Sequence, residues 1–173
     1  MTYRVFVAAT VAAALAVFAA GCGSGGTTLT KKTLSYTEKD TGTFSFVDNP
    51  PKSPPAKGDE PKLSNGDQIT FTADFLDAVG KDVGDLDATC IVTATTTGSF
   101  DDSRAQCVGT ADIPGGTLTV TVGGKAFGGG TTRGAVVGGT GDYEGAIGGF
   151  TSSDESGTDR PSTDTFHLYI PKK

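Results

Sequence analysis

Two polar side chains near the C-terminal end of the sequence are candidates for contacting a ligand, His167 and Tyr169. They alternate with apolar residues over residues 165–170, so both belong to one face of a predicted strand. His167 is the single histidine, and most serines lie in predicted loops. No Ser–His pair for nucleophilic catalysis can therefore be assembled. If this face lines an interior, the two side chains would orient a ligand; if not, they form an exposed polar stripe.

The first of three cysteines, Cys22, follows a segment with export character. Arg4 precedes an uncharged apolar stretch over residues 5–18, and small residues lead up to the cysteine. This order resembles the bacterial lipobox, in which the cysteine is lipidated and the chain is cut before it. We expect a lipoprotein signal peptide over residues 1–21, a lipidated Cys22 that anchors the chain to the outer side of the cell membrane, and a flexible tether over residues 22–42. An ordinary signal peptide with an incidental cysteine and an uncleaved anchor are the alternatives.

The other two cysteines, Cys90 and Cys107, form an even pair in a chain expected to be exported, which favours a disulfide. Both lie in β-rich sequence. If they oppose each other in a hairpin, the turn falls at residues 98–99. A longer loop through residues 101–103 would need a bulge or a register shift. Two buried free thiols are the alternative.

Composition excludes several classes of function. The 173 residues carry a formal net charge of −6 without a basic patch, which argues against a nucleic-acid partner. One histidine and three cysteines leave little room for a zinc site, and we expect neither a metal nor a cofactor. The abundance of Gly and Thr disfavours a helical bundle and favours a small, acidic, all-β domain.

Alternation of apolar and polar residues predicts about eight short strands and no helix after the signal segment. The predicted strands cover residues 44–47, 67–77, 88–97, 104–113, 117–122, 133–138, 144–151 and 165–170. Residues 31–43 are predicted as a polar lead-in, residues 81–87 as an acidic connector and residues 48–66, which hold five prolines, as a long loop.

Eight such strands with short links are typical of a sandwich or a barrel, and the absence of charged edge strands favours closure. We therefore expect an all-β fold in which residues 43–173 form a closed, eight-stranded antiparallel barrel. The interior of such a barrel holds side chains or one small ligand.

A glycine-rich string, RGAVVGGTGDYEGAIGG, occupies residues 133–149. Its glycines allow positive φ angles in a tight hairpin turn, and Tyr143 supplies an aromatic plug. The predicted structural turn consists of Gly138, Gly139, Thr140 and Gly141. A dinucleotide loop is excluded because no third glycine stands at the required spacing and no helix follows.

This string resembles the V-GGTG-x-[FY]-x-x-A-x-G segment shared by allene oxide cyclases and dirigent proteins. Further segments at residues 66–68, 80–84, 90–92, 107–110 and 115–120 resemble strands and connectors of the same superfamily, so that the resemblance covers residues 43–170. It implies an eight-stranded barrel, and a trimer by analogy with the plant families. Together with the lipobox-like segment before Cys22, it suggests a bacterial lipoprotein member of this superfamily.

The resemblance also implies chemistry that this sequence follows only in part. Allene oxide cyclases close a fatty-acid-derived epoxide in an apolar cavity, aided by a glutamate whose place is taken by Phe46 here. A cysteine of that family aligns with Cys90, which we expect in a disulfide here, so both departures weigh against that specific reaction. Dirigent proteins orient phenoxy radicals with acidic residues near the cavity, which makes Asp74 a candidate; a solvated strand position is its alternative.

Three functions follow from these observations. The first is a tethered barrel that binds a small hydrophobic molecule. The second is a cofactor-free isomerase that guides an intramolecular cyclisation. The third is an interaction module whose interior is filled by Phe71, Phe75, Phe127, Phe150 and Phe166. An interior cavity would favour the first two, and a carboxylate within it the second.

Overall fold

A computed structural model describes residues 27–50, 62–125, 130–153 and 162–172. The strands are β1 (Leu29–Val47), β2 (Gln68–Leu76), β3 (Asp82–Ala94), β4 (Arg104–Ile113), β5 (Gly116–Gly124), β6 (Thr131–Gly139), β7 (Ile147–Ser153) and β8 (Thr163–Pro171). A short 3-10 turn at Gly141–Tyr143 joins β6 to β7. Within these ranges no helix has the length and hydropathy needed to cross a bilayer. The predicted signal segment, Cys22, residues 51–61 of the proline-rich loop and Phe127 lie outside the described residues.

The eight strands form one closed barrel in which each strand pairs with the next. All pairs are antiparallel, and β1 completes the ring by pairing with both β2 and β8. Buried and exposed residues alternate strictly along the whole of β4. Alternation of this kind sends every second side chain to the interior. The predicted closed, eight-stranded antiparallel barrel is confirmed.

The first strand is longer than its sequence pattern predicts. Leu29–Thr37 pair with β8, and Thr37–Val47 pair with β2 across a register shift between Asp40 and Phe44. The barrel therefore begins at Leu29, and the predictions of a tether to residue 42 and a domain start at residue 43 are wrong. Apolar side chains are sparse in the first half of β1, so its alternation is weak. Backbone hydrogen bonds to β8 hold this first half in place, and hydrogen bonds to β2 hold the second half.

The β3–β4 hairpin carries the disulfide. Cys90 and Cys107 are directly opposed in the register, with a Cα–Cα distance of 4.0 Å, which confirms the predicted bond. Of the two predicted connections, the structure has the longer loop and not the two-residue turn at 98–99, because β3 ends at Ala94 and β4 begins at Arg104. A register shift near the end of β3 accommodates this loop. β3 also starts at Asp82, so the predicted acidic connector is mostly strand.

The glycine–threonine turn differs from its prediction in one respect. Gly138 and Gly139 are the last residues of β6, and the positive φ angle of +62° falls at Gly141. Gly139 serves a different purpose, because a Cβ there would lie 2.6 Å from the carbonyl oxygen of Tyr143. Close approach of two backbone segments, rather than positive φ, excludes a side chain at this position.

Tyr143 closes one end of the barrel, as the sequence predicts. Its side chain is buried, and its hydroxyl donates a hydrogen bond of 2.8 Å to the carbonyl oxygen of Pro114. The Lys32 ammonium lies 4.9 Å from the ring centroid. A buried phenol with a satisfied hydroxyl is a stable plug.

The interior divides into two halves. We call the end at which β1 begins and β8 finishes the aromatic end, and the opposite end the cavity end. Tyr36 stacks on Phe75 with a centroid distance of 5.2 Å. Phe166 contacts Phe75 edge-on at 6.1 Å and Phe150 at 5.3 Å. These rings and Tyr143 fill the interior towards the aromatic end.

Candidate functional site

A cavity of about 200 Å³ occupies the other half of the interior. Its apolar wall comes from β2 to β5 and from β7, and is formed by Phe71, Leu86, Ala88, Cys90, Cys107, Gly109, Val120, Val122 and Phe150. The residues of this wall are those that point inward from these strands, at every second position. The interior is thus only partly filled by aromatic side chains.

Polar groups line the cavity on one side, where β6, β7, β8 and β1 meet. They are Glu38, Thr132, Ser152, Ser162 and Asp164. Both carboxylates therefore face the same cavity from neighbouring strands, and Asp164 is fully buried. An apolar wall with a few polar groups on one side is the usual make-up of a small-molecule site.

The register of β8 explains why these groups converge. Asp164 opposes Tyr36 of β1 and Ser152 of β7, and opposed residues of antiparallel strands lie on the same face. Glu38 stands two residues after Tyr36 and so also points inward. Its backbone N–H donates to the carbonyl oxygen of Ser162 at 2.8 Å, and the Ser162 hydroxyl donates to Glu38 Oε2 at 2.9 Å. These bonds fix one carboxylate at the side of the cavity.

The cavity wall owes part of its shape to a glycine and a disulfide. A Cβ at Gly109 would lie 3.1 Å from Leu86 Cδ1 and 3.2 Å from Val120 Cγ2, so a larger residue would crowd the wall. The Cys90–Cys107 disulfide lies on the same side. The small Gly109 and the disulfide thus leave space in the cavity half of the barrel. In the other half, aromatic rings take up the corresponding space.

The structure places the three sequence-predicted site residues outside the barrel. Asp74 lies on the outer face of β2, with an oxygen 3.6 Å from the Lys39 ammonium. His167 lies on the outer face of β8, where its Nδ1 is 3.3 Å from the Thr33 hydroxyl. Tyr169 is on the same face. None of them lines the cavity, so the structure supports the exposed polar stripe for His167 and Tyr169 and the solvated strand position for Asp74.

Sequence reasoning missed Glu38 and Asp164. Glu38 continues the alternation of Leu34 and Tyr36, but the polar composition of residues 31–43 hid the strand. Asp164 precedes Phe166 and Leu168 by the same period of two, one residue before the predicted start of β8. Phe46, which the resemblance puts at the place of a catalytic glutamate, packs against the core. Extending the inward face of β8 by one period would have found Asp164, whereas Glu38 could be found only by first recognising the weak alternation of Leu34 and Tyr36 as a strand.

Two ionisable groups at the two faces of the sheet have raised pKa values. Burial raises the pKa of Tyr36, and the nearby Tyr143 adds to the effect, so the Tyr36 hydroxyl stays neutral at pH 7. On the outer face, desolvation raises the pKa of Asp85, and neighbouring carboxylates raise it further. In the part of the chain that the structure describes, no three His, Cys, Asp or Glu side chains are grouped as a metal site.

Residues 32–164 match the family model of the allene oxide cyclase barrel-like domain. No curated protein sequence gives a significant match.

Solved structures with the same fold include enzymes of different chemistry. A pyocyanin demethylase is similar with a TM-score of 0.62 and 21% identity, covering 79% of this chain and 99% of its own. A pterocarpan synthase dirigent protein reaches 0.60 with 17% identity, covering 86% and 94%. An exo-specific intermolecular Diels–Alderase reaches 0.57 with 12% identity, covering 81% and 98%. These identities establish the shared fold and no shared reaction. From its barrel and its match over residues 32–164, the chain belongs to the allene oxide cyclase barrel-like family.

Proposed function

We propose that this protein is a lipid-anchored, extracytoplasmic barrel that binds one small hydrophobic molecule in the cavity between Phe71, Val120 and Phe150. The single observation that carries the proposal is the cavity itself. A closed barrel whose role is purely structural gains stability from filling its interior, because voids lose packing contacts. Here rings fill one half, and the other half keeps about 200 Å³.

The lining of the cavity indicates the kind of ligand. Its volume lies below the range of about 300–1,000 Å³ that is usual for drug-sized ligands, so the ligand is small. The wall from β2 to β5 is apolar, while hydroxyls and carboxylates stand together on the side of β8. We expect a mainly apolar molecule with one polar group that is directed towards Ser152 and Ser162.

The anchored location is supported by the sequence before the barrel. An apolar segment over residues 5–18 leads to Cys22 through small residues, which is the order of a lipoprotein signal. Labelling cells with an alkyne-bearing fatty acid tests this part. We expect the native protein to carry the label and Cys22→Ser to lose it.

Filling the cavity tests the binding proposal. Ala88 lines the cavity, whereas Ala135 lies on the outer face of β6. We expect Ala88→Leu to weaken binding of the neutral fluorophore N-phenyl-1-naphthylamine at least about tenfold, which corresponds to about 1.4 kcal/mol. The matched variant Ala135→Leu should bind as the native protein does. Equal binding by all three proteins would contradict a site in the cavity.

A second candidate function is an intramolecular cyclase, favoured by the two carboxylates that line one cavity. A carboxyl group held at a substrate by hydrogen bonds can move a proton during ring closure, while an apolar wall holds the chain in a reactive shape. Glu38 is held in this manner by Ser162. The fluorescent-probe experiment does not separate binder from enzyme, because both need the cavity.

Isomerisation leaves the molecular mass unchanged, which gives a test for the enzyme. Separate samples of host extract are incubated with the native protein, with the Glu38→Gln variant or with the Asp164→Asn variant. The small molecules in each sample are then separated by chromatography with mass detection. An enzyme converts one species into another of the same mass but a different retention time, and the variants do so more slowly. Identical profiles with and without native protein favour the binder.

A further inference from the structure

Four exposed apolar side chains lie together at the aromatic end of the barrel. We call Leu29, Val137, Ile147 and Tyr169 the end patch; each is between 41% and 54% exposed. Ile147 opposes Tyr169 in the β7–β8 pair. Val137 follows Val136, which opposes Gly148, so it stands beside Ile147 on the outer face. The patch therefore spans four adjacent strands near one end.

We infer that the end patch contacts the lipid bilayer, so that the aromatic end faces the membrane and the cavity end faces away from it. This inference rests on the lipid anchor at Cys22 that forms part of the proposed function. It adds an orientation and a contact surface, which the anchor alone does not specify.

The first support is the place at which the chain enters the barrel. β1 begins at Leu29, and the carbonyl oxygen of Thr28 accepts a hydrogen bond of 2.9 Å from the Lys172 N–H at the end of β8. The aromatic end thus receives the segment that leads from Cys22. From residue 22 to residue 28 there are 28 − 22 = 6 steps, which span at most about 21 Å.

The second support is the height of the barrel. β4 has 10 residues, which extend about 33 Å along the strand, or about 25 Å along the axis at a tilt of about 40°. For the cavity end to rest on the membrane, the aromatic end would stand about 25 Å above it. This exceeds the largest span of about 21 Å between Cys22 and Thr28, so the tether length favours the upright over the inverted barrel.

The chemistry of the patch suits the boundary between headgroups and acyl chains. The Lys31 ammonium lies 5.5 Å from the centroid of the Tyr169 ring, and both side chains combine an apolar body with a polar tip. Charged residues of both signs stand at this end, so it offers no purely basic surface to anionic lipid. Lys31 and Lys172 are among the cations, and Asp142 and Glu144 are among the acids. Contact is therefore driven by apolar side chains rather than by anionic lipid.

The absence of tryptophan in the sequence permits a direct test. Ile147→Trp puts a single tryptophan in the end patch, and Ile91→Trp puts one at a comparably exposed outer position nearer the cavity end. Each full-length, lipidated variant is reconstituted in vesicles of equimolar phosphatidylcholine and phosphatidylglycerol, with or without brominated acyl chains. Flotation measures attachment, and quenching by bromine measures contact with lipid.

We expect both variants to float, with strong bromine quenching at position 147 and little at position 91. Equal quenching at the two positions, or none at position 147 in floating protein, overturns the orientation while leaving the anchor intact. A blue-shifted emission at position 147 without quenching would show that a second protein copy covers the patch, which also overturns it. Protein that does not float refutes the anchor and the orientation together.

Discussion

The two halves of this barrel share the same strands but use their interiors differently. Towards the aromatic end, the rings of Tyr36, Phe75 and Phe166 pack within 5.2–6.3 Å of one another. Towards the cavity end, the same strands present Ala88, Gly109 and a disulfide around an empty volume. Strand pairing builds both halves equally well, so the size of the inward side chains decides which half is a core and which half is a site.

The largest effect should follow from emptying the aromatic half. Phe166 is fully buried and contacts three other rings, so we expect Phe166→Ala to lower the free energy of unfolding by about 3–5 kcal/mol. Phe71 borders the cavity and is partly exposed. Phe71→Ala should therefore cost about 1–2 kcal/mol less, because the side chain has fewer contacts to lose. Urea unfolding measures both, and equal losses would contradict the division into halves.

The next effect tests whether the disulfide supports the half that lacks a packed core. Its two cysteines are 17 residues apart in sequence, and a closed loop of that length is worth about 3 kcal/mol if the bond acts by lowering the entropy of the unfolded chain. We expect the double variant Cys90→Ala/Cys107→Ala to lose about this much stability. Binding of N-phenyl-1-naphthylamine should weaken as well, since the pair lines the cavity. An unchanged unfolding curve would show that the bond contributes little.

The buried Asp67, at the cavity end, links residues 49 and 64, which stand before and after the proline-rich segment. Asp67 accepts hydrogen bonds from the Asn49 N–H, the Ser64 N–H and the Ser64 hydroxyl. Asp67→Asn replaces one accepting carboxylate oxygen by an NH₂ group, which faces N–H and O–H donors and cannot accept from them. We expect the free energy of unfolding to fall by about 2 kcal/mol. The exposed Asp101→Asn serves as the control and should change stability little. Equal unfolding midpoints for the two variants would rule out this role for Asp67.

The smallest effects concern two outer carboxylates, one near each end, whose contributions should have opposite signs. Desolvation raises the pKa of Asp85, and Asp87, Asp112, Asp74 and Asp82 add to this. The charged form is thus disfavoured in the folded state, and the penalty disappears as the pH falls through the raised pKa. We expect Asp85→Asn to stabilise the protein at pH 7 by less than about 1 kcal/mol. This gain should vanish near pH 3.8, its ordinary pKa.

Asp102, in the loop after β3, should behave in the opposite way. Desolvation alone would raise its pKa, but hydrogen bonds from Thr97, Thr95 and Ser99 together lower it. Its stabilising contribution is therefore present above its ordinary pKa and is lost as the pH falls through the lowered value. We expect Asp102→Asn to destabilise the protein at pH 7 and to match it in acid. Urea midpoints between pH 3 and pH 7 measure both variants, and parallel pH profiles would refute the opposite signs.

The sequence predicts the aromatic half better than the cavity half. Alternation in β2 and β8 places Phe75, Phe166 and Leu168 on the apolar face of their strands, because large apolar side chains at a period of two are typical of a strand with one buried face. The structure then shows that this face is the interior one. Glu38 and Asp164 were missed since an inward carboxylate looks like a solvated one in a single sequence. The sequence could not decide between a two-residue turn and a longer loop after β3 for a related reason. Asp102 organises it through hydrogen bonds that strand periodicity does not reveal.

Native mass spectrometry of the protein purified from its own host tests the central claim, a ligand-binding cavity in one half of the barrel, most directly. We predict a bound small molecule that is released on denaturation, is absent from Ala88→Leu and is retained by Ala135→Leu. A bare protein mass in every case, or an adduct retained equally by both variants, would contradict a binding site in the cavity.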